Sequence, residues 1–315
     1  FGLSTYFYII IAAGHNSKVA TLTYFAPLLA GILLVYIRKK YILGFIVTAL
    51  FMGLQIAANH PQMTYHLFLA LGFLFLSELV RAATGKTPWK HFFISSGILA
   101  LAMILGIGMN SQRLLANSEY VKETIRGKQI LKSEHNSKDD DGMKKQEILN
   151  WSYGKLETLN LFIPRLLGGS STEEVSDDFK KELRASLESQ TDDEEQIQAV
   201  FDQVANGVPM YWGDQPGTSG PAYQGAIVVF LAILGFFFGW KKYRYWILGA
   251  SVLSVLLAWG SNFMPLSELF IKFVPFYDKF RAPSSILVVV ELLFPLIAII
   301  GLYRFFNDEK LTEEY

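Results

Sequence analysis

Residues 20–58 read ATLTYFAPLLAGILLVYIRKKYILGFIVTALFMGLQIAA. Two apolar runs, 20–37 and 41–58, are separated only by Arg38, Lys39 and Lys40. Neither run carries the polar stripe of a helix packed on a soluble core, and each is close to the roughly 20 apolar residues that cross a bilayer. The same kind of run recurs at 63–80, 92–109, 222–240, 245–259 and 284–306, and a partial one occupies 1–13. Seven spans and the partial one predict an all-α polytopic membrane protein. The rival, a soluble all-α protein, would not need so many runs without a polar face. Composition agrees: of 315 residues 51% are hydrophobic, 15% aromatic and only 18% charged, with a mean hydropathy of +0.29.

Orientation follows from the connections, because cytoplasmic loops are enriched in Lys and Arg. Arg38, Lys39 and Lys40, then Arg81, Lys86 and Lys90, then Lys241, Lys242 and Arg244 fall on alternate loops. One topology places all three inside, with 14–19, 59–62, 111–221 and 260–283 outside and the tail after Arg304 inside. Tyr36, Tyr41, Trp89, Trp240, Tyr243, Tyr245, Trp246 and Trp259 sit at span ends, where amphipathic rings suit the headgroup layer. Phe1 opens the chain partway through an apolar run with no basic flank, which reads as the remainder of a span in a longer protein, not as a signal peptide.

The organisation is therefore 1–110, membrane helices; 111–221, an extracytoplasmic domain; and 222–315, three further membrane helices with a short cytoplasmic tail. Residues 111–222 hold 13 basic and 20 acidic residues, a net −7, and the remainder holds a net +7. Zero overall charge gives no sign of a nucleic-acid partner. Within the outer block an acidic insert, 172–206, predicts two amphipathic helices: one capped by Ser176 with Phe179, Leu183 and Leu187 in a stripe, and one opened by a Thr191–Glu194 capping box and stopped at Asn206 and Gly207. Such a pair suits an interaction or lid element and a protein partner. Residues 208–225, VPMYWGDQPGTSGPAYQG, form a turn-rich lead-in to the next span.

Soluble-enzyme signatures fail on spacing. Gly85-Lys86-Thr87 resembles a P-loop ending, but Val80 stands where its first glycine should be. Aligning Gly142 with the invariant glycine of a calcium loop puts Ser137 and Ile148 at ligand positions, so the acidic run 139–142 reads as a solvated loop. His15, His60, His66, His91 and His135 include no HExxH, and His60 and His66, six apart, would not share a helix face. The absence of cysteine excludes disulfides, thiolate metal sites and a Cys nucleophile. No motif requires a cofactor, and a divalent metal stays open.

Polar residues gather instead at outward span ends: His15, Asn16 and Lys18; Asn59, His60, Gln62 and Tyr65; Asn110, Ser111, Gln112 and Arg113; Ser261 and Asn262; Asp278, Lys279 and Arg281. Helix ends meeting water explain part of this. Imidazole, amide, ammonium and guanidinium groups are also what a phosphate or sugar ligand needs. Glu291, four residues before Pro295 in the final span, would cost roughly 2.5–3.5 kcal/mol at the bilayer centre on insertion scales and must face protein or water. A functional role and a tie to another helix both fit it. Glu78 pairs more simply with Arg81 at i+3.

Five segments, NHPQMTY at 59–65, EYVKETIRG at 119–127, WSYG at 151–154 with LNLFIPRLLGG at 159–169, the stretch 211–225, and YDKFRAPSS at 277–285, resemble the YfhO family of bacterial membrane proteins. The resemblance covers nearly the whole chain except the insert 172–206. That family is similar to GT-C glycosyltransferases. The resemblance implies a GT-C-like helix bundle in the bacterial inner membrane, with an outer-face site using a polyprenyl-phosphate sugar donor and a cell-envelope acceptor. It also implies that the catalytic carboxylate lies in a loop before Phe1. Arg281, assisted by Lys279, stands just before Pro283 where the last outward loop meets the final span at headgroup depth, and with Arg126 is expected to hold the donor phosphate, while Trp151 and Asp214 join the outward polar group with Asn262. A non-enzymatic transport or scaffold subunit is the alternative, suited by Glu291 and the capped insert helices.

The topology has a direct test. With no native cysteine, a Ser171→Cys variant should be labelled by an impermeant maleimide in intact spheroplasts, whereas labelling only after lysis would reverse the orientation.

Overall fold

The computed structural model describes residues 1–124, 127, 143–173, 175–191, 193–205 and 207–307. The chain is helical, and among the described residues the only strand-like pairings are two isolated antiparallel bridges, Gly168 with Tyr211 and Glu173 with Val208. Arg126, the acidic run 139–142, His135 and the helix stop at Asn206 lie outside the described residues.

Helices α1 (Thr5–Ala12), α2 (Asn16–Thr23), α3 (Phe25–Tyr36), α4 (Tyr41–Ala57), α5 (Pro61–Ala83) and α6 (Trp89–Gly108) precede α7 (Ser111–Lys122) and the single turn α8 (Lys145–Ile148). After α9 (Asp177–Glu188) and α10 (Glu194–Ala205) come α11 (Ala226–Phe238), α12 (Lys241–Ala258), α13 (Met264–Phe273) and α14 (Val288–Asn307). Every expected apolar run is helical, but not every helix reaches across a bilayer. Among the described residues four helical stretches are long and apolar enough to cross one: Asn16–Tyr36, Pro61–Ala83, Trp89–Gly108 and Pro283–Asn307. A fifth exists if α12 and α13, bent by 111° at their junction, count as one span. This is the make-up of a helical membrane protein.

The count falls below seven for reasons of length. Helix α11 has 13 residues, about 20 Å at 1.5 Å per residue, because Gly225 adopts φ 93 and leaves 222–225 non-helical. Helix α4 has 17 residues. The partial span at 1–13 is an eight-residue helix. Helix α13 occupies what reads in sequence as a loop. Pro265 stands in its first turn, Leu266, Leu269, Phe270 and Phe273 repeat at helical spacing, and Gly260 at φ 47 supplies the sharp turn before it.

Where lipid tails are as apolar as leucine, helices gain little by hiding apolar surface from one another, and close approach through small residues decides which pairs form. The α11–α14 pair shows this. A Cβ added to Gly301 would lie 2.5 Å from the Cα of Gly235, so the two backbones touch there. A Cβ on Gly106 would lie 2.7 Å from both the Ala49 carbonyl and the Met52 Cβ, closing α6 on α4. Outward-facing Ile42, Phe93, Ile104, Ile227 and Phe237 stay exposed, as a lipid-facing surface requires.

The three basic loops gather at one end. Arg38 and Arg81 act electrostatically on Lys242, Arg81 Nε meets Glu78 Oε1 at 3.4 Å, and Arg304 Nη1 donates to the Phe238 carbonyl at 2.7 Å. The segments 143–173 and 207–224 cap the opposite end. Leu161 is fully buried in the main apolar core, Phe162 lies 6.0 Å from Phe294 ring to ring, and Tyr153 N donates to the Ala258 carbonyl at 2.8 Å. Helices α9 and α10 pack on each other, joined by Arg184, which reaches Glu188 at 3.2 Å and Glu194 at 2.8 Å. Paired backbone bonds of 3.0 Å between Glu173 and Val208 close the base of this insert. Ser176 caps α9 through Phe179 N at 3.3 Å. The cap of α10 is Asp193 rather than Thr191: its Oδ1 accepts from Glu195 N at 3.1 Å and Gln196 N at 3.2 Å. A carboxylate at the positive end of the helix outcompetes the hydroxyl.

Glycine packing yields a sign test. Gly301→Ala should cost about 1–3 kcal/mol, the range for overpacking. Gly72→Ala, on α5 with no atom within 4 Å of the added Cβ, should be neutral or raise stability by about 0.5–1 kcal/mol. In one detergent the thermal midpoint should therefore fall for Gly301→Ala and stay level or rise for Gly72→Ala.

Candidate functional site

Two adjoining sites lie at the end of the helices opposite the basic loops. The first is a cationic basin formed where the α1–α2 turn, the α4–α5 turn and the loop before α14 meet. His15 precedes α2 and is exposed, Lys18 stands in the first turn of α2, and His60 precedes α5. The Lys18 ammonium sits 5.5 Å from the centroid of the Tyr6 ring, a cation held by an aromatic face. Gln62 ties α5 to the loop: its Nε2 donates to the Arg281 carbonyl at 2.6 Å and to Ser285 Oγ at 2.9 Å. With its carbonyl so anchored, the exposed Arg281 guanidinium has no ion pair or hydrogen bond among the described residues. Gln62, His66, Tyr277, Phe280 and Arg281 line a small recess beneath it.

The electrostatics of this basin have one sign. Lys18 and Arg281 act on His15, Lys18 and His15 act on His60, and Lys18 and His60 act on His66. Among the described residues no carboxylate joins that set. Desolvation, then Lys18 and Arg281, hold His15 below the ordinary imidazole range. Burial, reinforced by Lys18 and His15, pushes His60 down to about 4. The Nδ1 atoms of His60 and His66 are buried without a hydrogen-bond partner, and His66 is only 4% exposed. Orphaned imidazole nitrogens among positive charges form a receptacle for an anion.

Sequence reasoning missed His66, because a spacing of six does not share a helix face. That rule does not apply: His60 lies outside α5, at φ −126, and only His66 is on the helix. Several other predicted residues serve the walls. Asn59, at φ 59, accepts from Asn117 Nδ2 at 2.8 Å. Tyr65 donates to the Pro275 carbonyl at 3.0 Å and packs 5.2 Å from the Phe280 ring. Asn16 is exposed beside His15. Lys279 is bound to Asp278 at 2.6 Å, so its charge is already compensated. Glu291 falls in the first turn of α14 and is wholly buried beside Ser4. Tyr6 and Tyr153 lie within its electrostatic reach, so it belongs to the floor beneath the cap.

The second site is a cleft of about 380 Å³ whose lining includes Trp151, Asp214 and Asn262. Its walls are organised by Glu157, a residue that sequence reading passed over. This carboxylate is 1% exposed; Oε2 accepts from Gly154 N at 2.9 Å, and Oε1 accepts from Tyr211 OH at 2.5 Å and Gln215 Nε2 at 2.9 Å. It thereby fixes the 151–154 turn against 211–215 and sets Asp214 at the rim. Burial and the Glu157 hydrogen bond push the Tyr211 hydroxyl well above its ordinary range, so it stays a donor. The cleft adjoins the basin through the Ser284 N bond to the Trp151 carbonyl, 3.2 Å.

Among the described residues no three His, Asp or Glu side chains form a group able to hold a metal ion. Comparison with protein families, characterised proteins and solved structures finds no match, so the functional reading rests on the geometry of these two sites.

Proposed function

We propose that this chain belongs to a membrane glycosyltransferase of the GT-C kind, similar to the YfhO family, which binds a polyprenyl-phosphate sugar at the outer face of the bacterial cytoplasmic membrane and passes the sugar to a cell-envelope acceptor. The observation that carries this reading is the basin in which Lys18 and Arg281 stand among the imidazoles of His15, His60 and His66, with no carboxylate acting on those imidazoles among the described residues. It lies at helix ends, where a lipid anchored by its tail presents its headgroup. Transfer breaks the bond between the anomeric carbon and a phosphate oxygen as the acceptor oxygen attacks, the acceptor's hydroxyl proton passing to a carboxylate base. The electron pair leaves with the phosphate, and groups already in place around that oxygen stabilise the developing charge without reorganising. Arg281 supplies two parallel N–H donors, Lys18 a point charge, and the histidines further donors once protonated.

Arginine is the discriminating residue. If it only snorkels to lipid headgroups, Lys serves equally. If it holds two phosphate oxygens, Arg281→Lys loses one charge-assisted hydrogen bond, and affinity for undecaprenyl phosphate in nanodiscs should fall by about 10-fold. Expression and thermal stability should be kept, because the structural bond at Arg281 is made by its backbone carbonyl. Equal affinity in both proteins would remove the loop from the site.

The histidines generate a pH prediction. In the free basin His15 is depressed and His60 titrates near about 4, so both are neutral at pH 7. A bound anion raises both, the complex takes up protons, and affinity rises as pH falls through and below about 6.5. A phosphodiester-linked lipid sugar, whose charge is constant over that range, isolates the effect. Its affinity should be greater at pH 5.5 than at pH 7.5, and a flat profile would separate the imidazoles from the anion.

A further inference from the structure

The cleft beside the basin differs from it in chemistry. Among the described residues its one cation, Lys145, is paired at 3.0 Å with Glu268. What remains is Trp151, Asp214 and the amides of Gln146, Asn150 and Asn262. The Trp151 ring is 37% exposed and fixed at its edge, where Nε1 donates to the Gly217 carbonyl at 3.0 Å. Its backbone sits at φ 58, a left-handed conformation that costs a bulky residue energy. Asn150 Oδ1 accepts from Trp151 N at 3.1 Å and holds that turn. The Asp214 carboxylate is exposed and among the described residues accepts a single hydrogen bond, from Asn262 Nδ2 at 3.2 Å, which leaves most of its acceptor capacity open.

We infer that this cleft is a binding subsite for a neutral saccharide, with Trp151 as the platform for a pyranose face and Asp214, Asn150 and Gln146 as the hydroxyl-reading groups. An apolar ligand would leave the Asp214 carboxylate and the Gln146 amide unmatched, and an anion would meet Asp214 with no unpaired cation among the described residues of the lining. A sugar ring satisfies both halves, offering an apolar face of C–H groups to the indole and a rim of hydroxyls that donate to a carboxylate and exchange bonds with amides. The cleft has room for one or two rings. Through Ser284 it joins the loop that carries Arg281, so a sugar bound here lies next to a phosphate bound there. The inference names the substrate class of the proposed transferase and to that extent rests on it.

The test is binding of the full chain in nanodiscs to an array of neutral mono- to trisaccharides of hexoses and N-acetylhexosamines, followed by calorimetry on the best probe. At least one should bind. Trp151→Ala should weaken it by 10-fold or more, Trp151→Phe should retain most of it, and Asp214→Asn should weaken it several-fold. Gln146→Ala, at an exposed side chain on α8, guards against misfolding and should also reduce affinity. Absence of binding to every probe, or affinity unchanged in Trp151→Ala, Asp214→Asn and Gln146→Ala alike, would overturn the inference. Arg281→Lys separates the two proposals: it should leave saccharide affinity unchanged while lowering that for lipid phosphate. Saccharide binding without lipid-phosphate binding would refute the donor reading and leave the subsite standing.

Discussion

Close backbone contact between helices is the constraint on which the remainder depends. Apolar helices in a bilayer have no aqueous phase to drive them together, so contact area must come from interdigitation, and that is greatest where side chains are smallest. The meeting of Gly235 with Gly301 and the approach of Gly106 to Ala49 set how α11 lies on α14 and α6 on α4. Those placements fix where the α4–α5 turn and the loop before α14 emerge. Gln62 can then reach both the Arg281 carbonyl and Ser285. The basin is in this sense a product of helix packing: its cations sit on separate elements, and only rigid helices hold them near one another against their own repulsion.

The cap imposes a second, polar constraint. Residues 151–162 and 207–224 return to the apolar core with few regular backbone bonds of their own, so side chains must complete the hydrogen bonding. Glu157 takes the largest share, binding a backbone amide, a phenol and a side-chain amide at once. Asn160 accepts from Leu167 N at 3.1 Å, and Trp259 Nε1 donates to Thr158 Oγ1 at 2.8 Å. A carboxylate buried with three donors is strongly favoured over one left open. Glu157 is therefore structural and Asp214, with one donor and an exposed rim position, is available to a ligand.

Much of the fold was legible because length and apolarity act locally. Each run produced a helix, and Ser176 capped α9 as its position suggests. What was hidden depends on shape or on distant contacts. Helix α13 was hidden because its polar residues, Ser267, Glu268 and Lys272, break the apolar run that marks a span, although its apolar spacing was there to be read. His66 was hidden by a helical rule applied across a helix boundary. The polar groups of the basin were visible as residues at helix ends, but their common sign was not, since Asp278 is adjacent in sequence and only its pairing with Lys279 removes it from the account. Trp151 and Asp214 share a cleft through Glu157, and no local pattern announces a bond between residues so far apart in the chain.

In the proposed function the two sites would divide the recognition problem that a lipid-linked sugar presents. A polyprenyl phosphate brings one concentrated charge at headgroup depth, and a positive basin at helix ends binds it largely without regard to the sugar attached. Discrimination among sugars must then come from groups that count hydroxyls, which requires a pocket whose polar atoms are not already saturated. Glu157 accepts from three donors, and Lys145 and Lys279 are ion-paired with Glu268 and Asp278 respectively. Arg281, Asp214 and the imidazoles of His60 and His66 keep open capacity among the described residues. Open groups of opposite character, separated by the short turn from Trp151 to Ser284, let one molecule engage both: the phosphate cannot settle on Asp214, and a neutral sugar gains little from the cations. On the proposed function, the chemistry of the walls would orient a phosphate-linked sugar with its phosphate toward Arg281 and its ring toward Trp151.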